Sequence, residues 1–471
     1  MIQLTLPQVA AAVSGLLMDA DQDLPQVVGV STDSRTIAPG NLFVALRGER
    51  HDGHQYLDAA REAGAVAVMV DHRCHSGLPE IIVEDTLIAL GHLARCWRDE
   101  VDPLVIAVTG SAGKTTVKQL LAAIFAQAGP TLATEGNLNN EIGVPLTLCR
   151  LERTHRYAVI EMGANHSGEI ARLCAITRPD IAMVTFAGRA HLGEFGGMDA
   201  IVRAKGEIYE HLGPAGTAVI NLGSAGSDYW QRVNTAGRSW TFSLDAPAIG
   251  ADVKGRYWLD AQGQGWLDVN TATAKLSLPV PLPGRHNGLN LLAAVTVALA
   301  AGIAPALIEQ GLKHFQAPKG RLTLTQISDA LSVIDDSYNA NPESMMAAVD
   351  VLVTRPGRHW LVMGDMGELG EDAATLHAEI GRYARQRGVE RLLAVGEHSG
   401  EAAASFGEGG AHFGSISELQ SALNQQVNEN KREPLTILVK GSRFMRMEQI
   451  VESLQMHVTV MASAERVGEA H

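Results

Sequence analysis

Eight consecutive residues, Thr109-Gly110-Ser111-Ala112-Gly113-Lys114-Thr115-Thr116, place two glycines, a lysine and several hydroxyls in the order that suits a bound polyphosphate. Gly110 and Gly113 let the backbone approach phosphate oxygens closely, and the N–H groups at a helix start carry partial positive charge. Lys114 would reach the terminal phosphates, and the Thr115 hydroxyl would hold Mg²⁺. Ser111, Ala112 and Thr116 complete the cradle. The strict P-loop pattern asks for a further glycine where this chain has Val108.

Other polar residues gain meaning from their places along the chain. Glu161 ends an apolar run over 157–160. The carboxyl end of a parallel strand is where ligands bind, so Glu161 suits either a Mg²⁺ ligand or an ion-paired cap. His191, in Ala190-His191-Leu192-Gly193-Glu194, follows the apolar run over 181–185, and a lone histidine is more often structural or exposed than catalytic. Lys205, in Ala204-Lys205-Gly206-Glu207-Ile208, reads in isolation as a solvated helix lysine. Asn287 and Asn290 precede and enter an Ala-rich segment, where they suit a helix cap or the edge of a base. Asp335-Asp336 closes another apolar run, in a position that serves ribose hydroxyls, a metal or a turn.

The elements that must carry these groups alternate short apolar runs with helical periods. Strands are expected over 104–108, 157–160, 181–185 and 217–221, with a helix over 115–127 directly after the glycine loop. That rhythm predicts an α/β fold with a largely parallel sheet and helices on both faces. A Gly- and Trp-dotted stretch over 248–278 reads as an antiparallel excursion, followed by a buried helix over 289–302. The final third repeats the rhythm, with strands over 331–335, 359–363, 391–395 and 435–439 and helices over 344–352, 373–386 and 447–454. It reads as a doubly wound, dinucleotide-fold-like unit without G-x-G-x-x-G after its first strand. The first part mixes strands over 41–46 and 65–70 with a helix over 55–63. Three domains follow: 1–84, 85–318 and 319–471.

Composition narrows the classes of function. With 471 residues, 46% of them hydrophobic and 19% charged, the chain has the profile of a multidomain globular protein. A net charge of −14 without a dense basic run argues against nucleic acid as a partner. Cys74, Cys96, Cys149 and Cys174 form neither a C-x-x-C pair nor a Cys/His zinc pattern, and read as reduced thiols. The N-terminus lacks signal-peptide character and no apolar run reaches 18 residues, so a cytoplasmic, non-inserted protein is expected.

Taken in order, these blocks resemble the Mur ligase family over nearly the whole chain. The resemblance rests on Ser31-Thr32-Asp33-Ser34-Arg35, the 109–116 loop, Gly136-Asn137-Leu138-Asn139-Asn140, and the segments around Glu161, Lys205 and Asn290. It continues through Asp335 to Asn341, Gly364 to Gly370, and Lys440-Gly441-Ser442-Arg443. Loops of this family also lack the first P-loop glycine. The resemblance implies a UDP-substrate domain, a central ATPase and a closing C-terminal lobe. It implies ATP-dependent joining of a carboxylate to an amine through an acyl phosphate. Its substrates would be those of the branch that adds D-alanyl-D-alanine to UDP-N-acetylmuramoyl-tripeptide, acting as a monomer.

By the same resemblance Lys114, His191 and Lys205 would be catalytic. Thr115 and Glu161 would hold one Mg²⁺, and His191 with a carbamylated Lys205 would serve a second. Asn290, Arg321 and Asp336 would contact ATP, while Ser31, Arg35, Asn137 and Asn139 would contact the UDP substrate. The Asp-Asn-Pro-Arg run of the ligase that adds the third residue is absent, as is the Asn-Lys-X-Asp signature of GTPase switches.

Overall fold

The structure, a computed structural model, describes residues 1–19, 25–48, 51–190, 192–245, 250–429 and 433–457. Its centre is a nine-stranded sheet. Thr131–Ala133, Tyr157–Glu161, Leu104–Thr109, Ile181–Val184, Thr217–Asn221, Arg238–Leu244 and Val253–Leu259 run parallel in that order. Gly265–Asn270 and Lys275–Pro279 extend it antiparallel. The excursion expected over 248–278 therefore turns antiparallel one strand later, because Val253–Leu259 still pairs in parallel with Arg238–Leu244. Residues 248 and 249 of that stretch lie outside the described residues.

Continuous apolar runs suit a sheet covered on both sides. Along Leu104–Thr109 the side chains alternate between two cores, Val105 and Ala107 to one, Ile106 and Val108 to the other. Helices Lys114–Phe125, Arg285–Ala300 and Pro305–Lys313 bury Leu120, Leu121, Leu291, Val295 and Ile308 on the second face. Helix Arg285–Ala300 starts four residues before the expected position. Its first turn is polar, so the apolar pattern alone missed it.

Helices Thr86–Val101, Glu169–Thr177 and Met198–Glu210 cover the other face. The core there continues without a break into the N-terminal part through Ile2, Leu6, Leu42 and Met69. That part holds a five-stranded sheet ordered Leu16–Met18, Glu80–Ile82, Ala67–Val70, Leu42–Val44 and Val30–Ser31. Buried Arg98 ties helix Thr86–Val101 to the C-terminal end of helix Glu169–Thr177 by donating to the carbonyls of Thr177 (3.0 Å) and Arg178 (3.1 Å).

The C-terminal lobe is a six-stranded sheet in the order Thr323–Ser328, Leu331–Asp336, Leu435–Lys440, Arg358–Gly364, Arg391–Val395 and Gly410–Phe413. All pairs but the first are parallel. The antiparallel edge Thr323–Ser328 has no counterpart in the sequence reading, since it alternates half-buried and exposed residues and includes no apolar run. Among the described residues no helix is long and apolar enough to cross a membrane.

Tyr209 positions helix Met198–Glu210. Its buried hydroxyl accepts from the Val184 amide and donates to the Val219 carbonyl, each at 2.8 Å. Tyr209→Phe should leave both backbone groups unsatisfied and cost about 1–3 kcal/mol, read as a lower urea midpoint with an unchanged slope.

Candidate active site

The glycine loop leaves the carboxyl end of Leu104–Thr109 and enters helix Lys114–Phe125 through Gly113, in the left-handed region at φ +81°. A Cβ on Gly113 would stand 2.4 Å from Asn290 Oδ1, and one on Gly110 (φ +144°) would stand 2.1 Å from Thr185 Oγ1. Both glycines are therefore required by close approach as well as by backbone conformation. Val108 occupies the position of the missing P-loop glycine as an ordinary buried strand residue, paired with Glu161 on one side and Met183 on the other. No tight turn occurs there, so no glycine is needed.

The loop is braced before any ligand arrives. Lys114 Nζ donates to the Gly110 carbonyl at 2.6 Å. Thr185 Oγ1 donates to the Ala112 carbonyl at 2.5 Å, and Ser111 Oγ donates to the Gly188 carbonyl at 3.0 Å. Burial pushes the Lys114 ammonium below its usual pKa, the Glu161 carboxylate working against that shift. Incoming phosphates would oppose it too, so this lysine is poised to gain from an anion.

Glu161 lies beside the loop because its strand is in register with Leu104–Thr109. Only 2% of it is exposed. Oε1 accepts from Asn139 Nδ2 at 2.8 Å, while Oε2 is buried with no hydrogen-bond partner. A buried carboxylate oxygen left unpaired is costly unless a cation completes it, so this donor set fits a divalent ion. Thr115 Oγ1 accepts from Arg321 Nη2 at 3.1 Å, which leaves a lone pair for a second contact.

Lys205 is 1% exposed, not a solvated helix lysine. Its Nζ donates to the Ala164 carbonyl at 3.1 Å and lies 5.1 Å from the Phe195 ring centroid. Burial, reinforced by the Lys114 charge, holds its pKa down to about 7. His191 lies outside the described residues.

The C-terminal lobe forms the opposite wall of a cleft of about 1120 Å³ that contains the loop, Glu161, Asn137, Asn139, Asn290, Arg321 and Asp336. Arg321 stacks on Tyr338, 4.5 Å from its ring centroid. Both Asp336 oxygens are engaged, Oδ2 by Lys440 Nζ at 2.6 Å and Oδ1 by the Leu322 amide at 3.1 Å. Ser31 and Arg35 do not line this cleft. Ser31 Oγ is held in a turn with Asp33 and Thr36. Arg35 is largely exposed and pairs with Asp33, whose carboxyl it holds down to about 2.

Some participants escaped sequence reasoning. Thr185 directly follows strand Ile181–Val184, and that strand-end position was the signal that could have revealed it. Arg189 joins the lobes through Glu343 Oε1 (2.7 Å) and Glu379 Oε2 (2.8 Å), a contact with no local sequence signature.

Residues 26–96 match the Mur ligase family catalytic domain, 108–298 the Mur ligase middle domain, and 320–443 the Mur ligase glutamate ligase domain. The chain is 42% identical over 459 residues to the UDP-N-acetylmuramoyl-tripeptide--D-alanyl-D-alanine ligase of Escherichia coli K12, covering 98% of this chain and 100% of that protein. Its fold is similar to a crystal structure of MurF from Acinetobacter baumannii, with a TM-score of 0.91, 35% identity, and coverage of 97% and 99%. MurF from Thermotoga maritima, solved in complex with ADP, is similar with a TM-score of 0.80 and 25% identity over 92% of this chain and 98% of that one. On the strength of these matches and of the phosphate cradle, the chain belongs to the Mur ligase family.

Proposed function

We propose that this chain joins the terminal carboxylate of UDP-N-acetylmuramoyl-tripeptide to the amine of D-alanyl-D-alanine, converting ATP to ADP and phosphate in the cytoplasm. The product is the UDP-muramoyl-pentapeptide precursor of peptidoglycan. The observation that carries this reading is the meeting of the braced 109–116 loop and the half-paired Glu161 in one two-lobed cleft, with the buried Lys205 bonded to Ala164 of its lining. Similarity to ligases of that name over almost the whole chain supports the choice of substrates.

Residues 1–84 would hold the UDP end, with Ser31 and the exposed guanidinium of Arg35 toward the diphosphate. Residues 85–318 would bind ATP, and 319–471 would close over it. Asn290 and Arg321 already face the loop, and Asp336 would meet ribose on releasing Lys440 or alongside it. Asn137 and Asn139, which line the same cleft, would contact the UDP substrate.

A carboxylate resists attack by an amine because oxide would have to leave. Its oxygen instead forms a bond to the γ-phosphorus while the bond to ADP breaks. The amine nitrogen then bonds to the acyl carbon, phosphate departs, and the amine loses a proton. Lys114 would balance the charge that spreads over the transferring phosphoryl group. Thr115 and Glu161 would hold one Mg²⁺ and His191 with Lys205 a second, the ions supplying Lewis-acid charge neutralisation when bound. Held down to about 7 by burial, the Lys205 amine is neutral far more often at neutral pH than that of an ordinary lysine. A neutral amine adds CO₂ to give a carbamate and a proton, which would turn a buried cation into an anionic ligand. Lobe contacts such as Arg189 with Glu343 would exclude water from the acyl phosphate.

Phosphate release from ATP should require both the UDP-muramoyl tripeptide and D-alanyl-D-alanine. Equal release without the dipeptide would sink the ligase reading. Lys114→Met should lower kcat by about 10²–10³-fold, measured as phosphate release at saturating substrates. Lys205→Ala should lose activity that added short carboxylic acids partly restore. Failure of every such acid to restore turnover in a folded variant would remove the carbamate from the reading.

A further inference from the structure

On the N-terminal sheet, away from the residues that line the ATP cleft, three metal-capable side chains converge. His54 comes from the short turn Gly53–Tyr56, and His72 and Cys74 from the loop after strand Ala67–Val70. One ring nitrogen of each histidine and Cys74 Sγ all lie within 4.8 Å of one another. We propose that His54, His72 and Cys74 form a binding site for a borderline-soft divalent cation of the zinc class.

The surroundings orient the ligands. His54 Nδ1 meets Asp52 Oδ1 at 2.6 Å, and His72 Nδ1 meets Asp71 Oδ1 at 2.5 Å. A carboxylate on one ring nitrogen keeps the proton there and makes Nε2 the acceptor, the pattern of carboxylate–histidine–metal triads. His54 Nε2 accepts from the Asp71 amide at 3.3 Å, a bond that a metal would have to displace. His72 Nε2 is 3.6 Å from Cys74 Sγ, and His54 Nε2 is 3.2 Å from Asp71 Oδ1. The two imidazole rings stack with centroids 4.9 Å apart and an interplanar angle of 30°.

Cys74 is anchored as well, because Glu80 accepts from the amides of Cys74 (3.1 Å) and Ser76 (2.7 Å). Asp52, Asp71 and Glu80 give the pocket three carboxylates. Arg47 opposes them, pairing with Asp71 at 3.1 Å and approaching His72 Nδ1 at 3.5 Å. Arg73 turns away to Asp19. Zinc distances of about 2.0 Å to nitrogen and 2.3 Å to sulfur would require the three ligand atoms to close by roughly 1 Å. His72 and Cys74 can supply that movement from an exposed loop, with Asp71 or water in the fourth position. Coordination would exchange the Cys74 thiol proton for the metal, releasing one H⁺. No sequence pattern announces the site, since its ligands come from two separate turns.

The test is a titration of the full-length protein with Co²⁺ alone, in a phosphine reductant. One Co²⁺ per chain should bind with thiolate-to-metal absorption, and equimolar Zn²⁺ should displace it. Cys74→Ser should abolish that absorption, and His72→Asn, at an exposed position, should weaken Co²⁺ binding at least tenfold. Absent absorption in the unmodified chain overturns the site, as does absorption that survives Cys74→Ser. An unchanged affinity in His72→Asn overturns it too.

Discussion

The shared register of three parallel strands is the constraint on which the site depends. Val108 pairs with Glu161 on one side and Met183 on the other, so the strands Leu104–Thr109, Tyr157–Glu161 and Ile181–Val184 end at one level. Everything that leaves those ends meets in one place: the glycine loop, the Glu161 carboxylate and the Thr185 hydroxyl. A slip of one residue in any pair would turn a polar group into the core and an apolar one into the cleft.

The cleft is built from groups that are costly to bury. Glu161 keeps an unpaired oxygen, Lys114 spans its own loop, and Lys205 is enclosed with a single carbonyl partner among its described contacts. A ligand of opposite charge would offset the cost of burying each of them. The two large cores on either side of the central sheet carry the cost of burying these groups. The second lobe contributes differently. Its reach to the site runs through Arg321 to Thr115 and Arg189 to Glu343 and Glu379, beside a backbone bond from the Gly193 amide to the Glu368 carbonyl.

Much of this was legible in the residues. The apolar runs that became strands Leu104–Thr109, Arg391–Val395 and Leu435–Lys440 are long enough to read, and the loop between strand and helix advertised its glycines. The polar first turn of helix Arg285–Ala300 and the alternating edge Thr323–Ser328 were not, because partial burial leaves no clear period. Lys205 shows the limit best. Nothing in its local sequence separates a buried lysine from a solvated one, and only family resemblance singled it out.

The sequence by itself determined the phosphate loop, the α/β rhythm and the family, because glycine conformation, hydrophobic period and ordered motifs are local properties. Tertiary structure alone decided that Lys205 is enclosed and that Glu161 has a free oxygen. It also decided that Arg189 bridges two lobes and that His54 meets His72 and Cys74. Burial, pKa and coordination depend on neighbours supplied by distant segments, and the chain order does not encode their distances.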